Sequence, residues 1–198
     1  ASKYGIDINS YKINWNKIIQ RSRNISKRLS KGVEYLMKKN KIKYIPGTAS
    51  FIDKNTLLIE SKKSHQKITA KNIIIATGTM QRNLPGLTID GEQIISSREA
   101  MVLDEIPKDM VVIGAGAIGV EFAHFFNTFG TEVILIEALP YILPNEDIEI
   151  SEALKKILIK RKIKILTDST VKEIKSLKSK VKINLTDGKD EIVNKIKK

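Results

Sequence analysis

"VVIGAGAIGVEF", residues 111–122, is the stretch on which the reading of this chain turns. Three apolar residues lead into Gly114, Gly116 and Gly119, the spacing G-x-G-x-x-G, and Glu121 follows two positions later. Such a run is a buried parallel strand that turns tightly into a helix. Gly114 permits the tight turn, Gly116 lets the backbone approach a pyrophosphate, and Gly119 lets helix and strand pack closely. Amides at the helix start then face a bound anion, and the helix dipole favours its charge. The glycine pattern alone is weak evidence. Here "VILIE" follows and ends at Glu137, 18 residues beyond Gly119. An acid about 20 positions on accepts hydrogen bonds from a ribose 2′-OH, and it would repel a 2′-phosphate. The combination predicts a dinucleotide site for NAD rather than NADP. The alternative is a glycine turn that serves packing alone.

Downstream of the loop the pattern is regular. A helix of about 12 residues should stop at Gly130, as helices commonly do at glycine. Strand "EVILIE" (132–137), a proline-containing loop, a helix near 148–160 and strand "KIKIL" (162–166) follow. This β-α-β-α-β order predicts an α/β, Rossmann-like domain with a parallel sheet. The tail stretches "TVKEIKS", "KVKINL" and "DEIV" alternate apolar and polar residues, with Asp187-Gly188 as a hairpin signal between the last two. Ile118, Phe122, Phe125, Phe126 and Phe129 share an apolar helix face that reads as core. His124 lies off that face and His65 falls in the polar turn "SKKSHQ" (61–66). Both are read as exposed, without the partner that a catalytic base needs. Glu121 has two readings: an acid in the first helical turn that complements the dipole, or a functional group.

Upstream, Trp15 to Asn40 reads as one long helix, roughly 39 Å at about 1.5 Å per residue. Ile18, Ile25, Leu29, Val33, Leu36 and Met37 recur at helical spacing, interrupted by Gly32, and the other face is basic. Strand-like pieces follow in "KIKYIPGTASF" (41–51), "TLLIE" (56–60) and "KITAKNIIIATG" (67–78). The triplet Ile73 to Ile75 has the type of a short buried strand. Pro85 and Gly86 mark the main boundary, which divides the chain into residues 1–86 and 87–198. A short helix is expected near Arg98 to Val102.

Bulk properties narrow the classes. The 198 residues hold no cysteine, which excludes an internal disulfide or a thiolate metal site. No metal site is read from the sequence. Neither a membrane-spanning run nor a secretory leader is seen, and the chain opens on Ala1 rather than Met. The net charge is +13. Arginine occurs at only six positions and the excess lysine reads as diffuse, without the arginine-and-aromatic stripe of a nucleic-acid platform.

Four longer stretches now point one way: "KGVEYLMKKNKIKYIPGTASF", "KNIIIATGTMQRNLPG", "ISSREAMVLDEIPKDMVVIGAGAIGVEFA" and "FGTEVILIEALPYILP". Together they resemble the dihydrolipoamide dehydrogenases of the pyridine-nucleotide–disulfide oxidoreductase family, over essentially the whole chain. The resemblance implies an NAD domain inserted in an FAD domain. Residues 1–86 would then be a partial FAD-binding domain and residues 87–198 an NAD-binding domain truncated at its C-terminus. Gly114, Ala115, Gly116, Ala117, Ile118 and Gly119 would line the NAD pyrophosphate, Glu137 would hold the adenosine ribose, and Val171 would lie near the adenine. Glu121 matches a glutamate at the junction of flavin and nicotinamide. Gly47 and Ala49 resemble the segment that meets the FAD adenine, and Thr77 and Gly78 match an "ATG" turn passing close to FAD. For Ala49, Thr77 and Gly78 the alternative is ordinary turn chemistry.

The implied reaction oxidises dihydrolipoyl groups on the acyltransferase of a 2-oxo acid dehydrogenase complex, through a redox disulfide and FAD, with reduction of NAD. The implied enzyme is a homodimer in the cytoplasm, or in the mitochondrial matrix of a eukaryote. The C-x-x-x-x-C redox pair, the first glycine-rich loop and the His-Pro-Thr interface domain are not found in these residues. The expectation is an internal fragment, inactive by itself, with no catalytic residue beyond Glu121. Rival readings are another NADH-dependent flavoprotein disulfide reductase, such as a mercuric reductase, NADH oxidase or transhydrogenase, and a non-catalytic NAD-binding module.

Overall fold

The computed structural model describes residues 5, 10–62, 64–81, 84, 86–177, 180–186 and 196–197. Two compact units emerge: Arg21–Gln81, and Ala1–Gln20 together with Arg82–Lys198. The first twenty residues thus group with the larger unit. Trp15 is the reason. Its indole sits 5.6–5.9 Å, centroid to centroid, from Phe125, Phe126 and Phe129. Its Nε1 donates to the carbonyl of Leu103 at 2.7 Å. A buried tryptophan with a satisfied N–H carries a large share of apolar contact, so it fixes the flanking chain to the larger unit. Pro85 lies outside the described residues.

In the larger unit, β4 (Asp109–Ile113), β5 (Glu132–Ile136) and β6 (Lys164–Leu166) form a parallel sheet with β5 central. Helices α3 (Ala117–Thr128) and α4 (Ile148–Lys160) make the crossovers, as the β-α-β-α-β pattern predicts. The apolar run of β5 is explained by burial on both faces. Val133 and Leu135 join a core with Val120, Ala123, Phe126, Ile142 and Leu158. Ile134 and Ile136 pack instead with Val111, Val171, Ile183 and Leu185. That second face is covered by β7 (Thr170–Leu177) and β8 (Lys180–Thr186), an antiparallel pair to which β9 (Ile196–Lys197) adds. Asp187-Gly188 and "DEIV" lie outside the described residues.

Helix α3 ends as expected at Gly130, with φ +97°. The Gly130 amide donates to Asn127 O and the Thr131 amide to Phe126 O, the paired bonds of a Schellman cap. Helix α4 ends the same way, but Lys162 takes the left-handed position at φ +67°. Phe126 is fully buried, and Phe122, Phe125 and Phe129 pack against the same core. Ile118, expected on that face, is instead 63% exposed, and Val120 is the buried residue of that first turn. The short helix α2 (Ser97–Ala100) starts one residue earlier than expected, where Ser96 and Glu99 close a capping box.

The smaller unit holds the antiparallel sheet β1 (Thr48–Phe51), β2 (Thr56–Glu60) and β3 (His65–Thr69), in that order. Helix α1 (Trp15–Lys39) begins in the larger unit and continues into this one. Its length matches the reading from the sequence. Its apolar spacing is present too, yet Leu29, Val33 and Leu36 are exposed and only Ile25 and Met37 are half-buried here. His65 belongs to β3 rather than a turn, and is exposed, with Nδ1 3.3 Å from Glu60 Oε1. Ile73 to Ile75 form no strand; Ile74 is 91% and Ile75 69% exposed. A parallel strand exists only by its ladder, and no described strand pairs with this segment. The charge is not diffuse either. Residues 21–81 carry 14 Lys and Arg against 3 Asp and Glu, a net +11; the remaining 137 residues carry 21 against 19, a net +2.

Candidate functional site

Parallel pairing builds the site. Ile113 of β4 pairs with Ile136 of β5, so the residues after them, Gly114 and Glu137, emerge side by side. Gly114 turns at φ +97°, and its amide donates to Ile136 O at 2.8 Å. Gly116 caps α3 with extended backbone, and no side chain caps that end. The first helical bond runs from the Val120 amide to Gly116 O at 3.0 Å. The amides of Ala117, Ile118 and Gly119 precede it and have no partner within the helix. These are the groups an anion takes.

Two of the glycines differ in what surrounds them. A Cβ on Gly119 would lie 1.9 Å from Gly114 O and 3.3 Å from Val112 Cγ1, so the helix could not approach the strand. A Cβ on Gly116 would meet nothing within 4 Å, and the turn is open on that side. Gly119 is thus required by internal packing, whereas the chain itself imposes no such requirement at Gly116.

Glu137 closes the turn from the other strand. Only 8% exposed, it accepts from the Ala115 amide at 2.7 Å through Oε2 and from the Leu139 amide at 3.0 Å through Oε1. A carboxylate offers about four acceptor sites, so two remain for the hydroxyls of a diol. A second anion brought to the same place would meet a charge that cannot swing away. Ala115 is fully buried; its amide goes to Glu137 and its carbonyl accepts from the Leu143 amide at 2.8 Å. It shapes the turn from within. Val171 is the second residue of β7, two after Ser169, whose amide donates to Glu137 O at 2.9 Å. The ribose-side and adenine-side candidates are therefore joined where β5 ends and β7 begins.

Glu121 is exposed and is the fifth residue of α3, one past the first turn. The dipole effect falls off within that turn, which weakens the purely structural reading. His124 is exposed, with Nδ1 3.5 Å from Thr128 Oγ1. Among the described residues, no group of three or more His, Asp and Glu is placed to hold a metal ion.

Gly47, Ala49, Thr77 and Gly78 fall in the smaller unit. A Cβ on Gly47 would lie 2.7 Å from Ile59 Cγ2 and 2.8 Å from Glu60 O, so the approach of β2 already requires glycine there. Ala49 pairs with Ile59 in the sheet. Thr77 and Gly78 sit exposed outside it, Gly78 at φ +79°. Hydrogen bonds gather the residues around the glycine turn; none among the described residues joins Gly47 or Ala49 to Thr77 or Gly78.

Sequence reasoning read 138–147 as a proline-containing loop and missed that it returns to the glycine turn, where the Leu143 amide meets Ala115 O. Leu143 there adopts φ +49° to place its amide on Ala115 O. The only sequence signal was Pro140 and Pro144, which restrict the chain without saying where it goes.

Residues 5–196 match the family described as pyridine nucleotide-disulphide oxidoreductase. The dihydrolipoyl dehydrogenase of Zymomonas mobilis is 41% identical over 175 residues, 88% of this chain and 38% of that protein. The mitochondrial dihydrolipoyl dehydrogenase of Schizosaccharomyces pombe is 38% identical over 192 residues, 96% of this chain and 38% of that protein. This chain therefore spans well under half the length of these relatives. Among solved structures, LpdA of Mycobacterium tuberculosis superposes with a TM-score of 0.82 over 93% of this chain and 41% of that one. At 22% identity it attests the fold. The HOCl-induced flavoprotein disulfide reductase RclA of Escherichia coli has a TM-score of 0.73 at 28% identity, covering 86% of this chain and 39% of that one.

Proposed function

Because this chain belongs to the pyridine nucleotide-disulphide oxidoreductase family, we propose that it carries the NAD site of a dihydrolipoyl dehydrogenase. Residues 87–198 supply that site, and residues 1–86 belong to an FAD-binding domain. The amides of Ala117, Ile118 and Gly119 take the pyrophosphate at the open side of Gly116. Glu137 takes the adenosine ribose, Val171 borders the adenine, and Glu121 reaches toward the nicotinamide. Bound NAD supplies the hydride acceptor. The observation that carries the reading is Glu137: buried, held by two amides, and set beside a turn that is open where a diphosphate would rest.

FAD enters from the relatives, one of which is described as a flavoprotein. Gly47, Ala49, Thr77 and Gly78 would touch it, but by themselves they form no flavin cradle. For the whole protein the reading is oxidation of dihydrolipoyl groups borne by an acyltransferase of a 2-oxo acid dehydrogenase complex. The working form is a homodimer, in the cytoplasm or the mitochondrial matrix. Any redox disulfide lies outside these 198 residues, which contain no cysteine. No helix among the described residues is long and apolar enough to cross a membrane.

The test mixes the whole protein with dihydrolipoamide and NAD and follows NADH absorbance. NADH formation supports the reading. NADH binding without turnover of dihydrolipoamide would remove the substrate and keep the site; absence of NADH binding would remove both.

A further inference from the structure

The chain between β5 and α4 is fastened over the glycine turn by a buried hydroxyl that the nucleotide site does not itself use. Ser151, the fourth residue of α4, is 1% exposed, and its Oγ donates to the carbonyl of Ile142. Ile142 is fully buried. The next amide, that of Leu143, donates to Ala115 O at 2.8 Å, and the Ala115 amide donates to Glu137 Oε2 at 2.7 Å. A continuous series therefore runs from α4 to the ribose carboxylate: Ser151, the Ile142 carbonyl, the Leu143 amide, Ala115, Glu137. Leu143 sits at φ +49°, a conformation that a leucine holds only when its surroundings impose it. The hydroxyl on the preceding carbonyl and the core contact of Leu143 are what impose it here.

We propose that Ser151 is a positioning residue for dinucleotide binding: it pins the 142–143 segment, which in turn holds Ala115, and through it the carboxylate of Glu137, in the geometry that receives the ribose. This rests on the NAD site proposed above. Ser151 touches no ligand. Its effect is on the fraction of molecules whose turn and carboxylate are already in place, and apparent affinity falls in proportion to that fraction. A hydroxyl that only stabilised α4 would lower stability and leave the affinity of the folded molecules unchanged.

Thr131 provides the control. It is also 1% exposed, and its Oγ1 donates to Pro107 O at 2.7 Å, at the end of the β4–β5 pair remote from the turn. Ser151→Ala and Thr131→Val each delete one buried hydroxyl-to-carbonyl bond. NADH dissociation constants and thermal midpoints are measured for both, for Ser151→Thr and for the wild-type protein. Ser151→Ala is expected to weaken NADH about tenfold if the competent fraction drops to about one tenth. Thr131→Val is expected to lose a similar amount of stability with unchanged affinity, and Ser151→Thr to restore binding. Equal NADH affinity in Ser151→Ala and wild type overturns the proposal, as does an equal loss in Thr131→Val. Failure of the wild type to bind NADH would instead overturn the site itself. Should Ser151→Ala not fold, hydrogen exchange on the ligand-free wild type decides: a protected Leu143 amide supports the fastening, and a freely exchanging one refutes it.

Discussion

Helices α1 and α3 were both legible as amphipathic from the period of their apolar residues, yet they end differently. Helix α3 buries Val120, Ala123 and Phe126 between Trp15 and the parallel sheet. Helix α1 beyond Gln20 buries nothing fully, and Leu29 on its apolar stripe stands 64% exposed. The same contrast runs through the two units. The larger carries a net +2, a core on both faces of its sheet, and a hydrogen-bonded glycine turn. The smaller carries +11, and Ile59 is its one buried apolar residue among those described. Periodicity reports which face of an element is apolar; what covers that face is a property of the partners present. Among the described residues, the larger unit has its apolar faces covered from within, and there the site residues hold one another in place.

The sharpest way to break this contrast is to cut helix α1 once in each unit, at Trp15 and at Leu29. Trp15→Ala removes three ring contacts and the bond to Leu103, and should cost about 3–5 kcal/mol in denaturant unfolding. Leu29→Ala should change stability by no more than about 0.5 kcal/mol. Comparable losses would show that the two units are equally packed. Next in size is Gly119→Ala, whose methyl would meet Gly114 O. A loss of about 1–3 kcal/mol, together with NADH binding, is expected by calorimetry and titration; wild-type NADH binding would contradict the close approach of α3 to the strand. Lys162→Gly works in the other direction. Glycine at this left-handed cap should raise stability by about 0.5–1 kcal/mol, and no gain in melting temperature would mean that the lysine bears no strain there.

Acid titration gives the smallest effect. Amides of Ile94 and Glu92 hold the Asp90 carboxyl below its ordinary 3.8. The Ser96 hydroxyl does the same for Glu99 below its ordinary 4.5, and the Asn55 amide for Asp53 in the smaller unit. A folded value below the unfolded one gives stability that is present above the unfolded pKa and is lost as pH falls through the folded one. The carboxyl carbon shifts of all three should therefore titrate below these ordinary values, and a midpoint at or above them would remove the assigned hydrogen bonds.

Much of this was written in the residues. The glycine spacing, the acid 18 positions on and the apolar runs specified β4 through β6 because each local rule agreed with its neighbours. Gly119 was read as a packing glycine, and a Cβ there would indeed strike Gly114 O. Ile73–Ile75 misled because composition marks a buried strand but cannot supply the ladder. The packing of Trp15 on Phe125, Phe126 and Phe129 was not legible, for it is a long-range contact with no local mark. The link from Ala115 to Glu137 was implicit in parallel pairing, since Ile113 and Ile136 are in register. The Ser151 fastening was not, for it joins residues nine apart through a loop of irregular backbone.

Cofactor choice at Glu137 is the most direct check. NADH and NADPH are titrated against the same protein in the same buffer, and both dissociation constants are read. A fixed, buried carboxylate at the ribose predicts NADH tighter by at least about tenfold, since like charges brought together cost several kcal/mol. Equal affinities, or tighter NADPH, would mean that this carboxylate does not face the ribose.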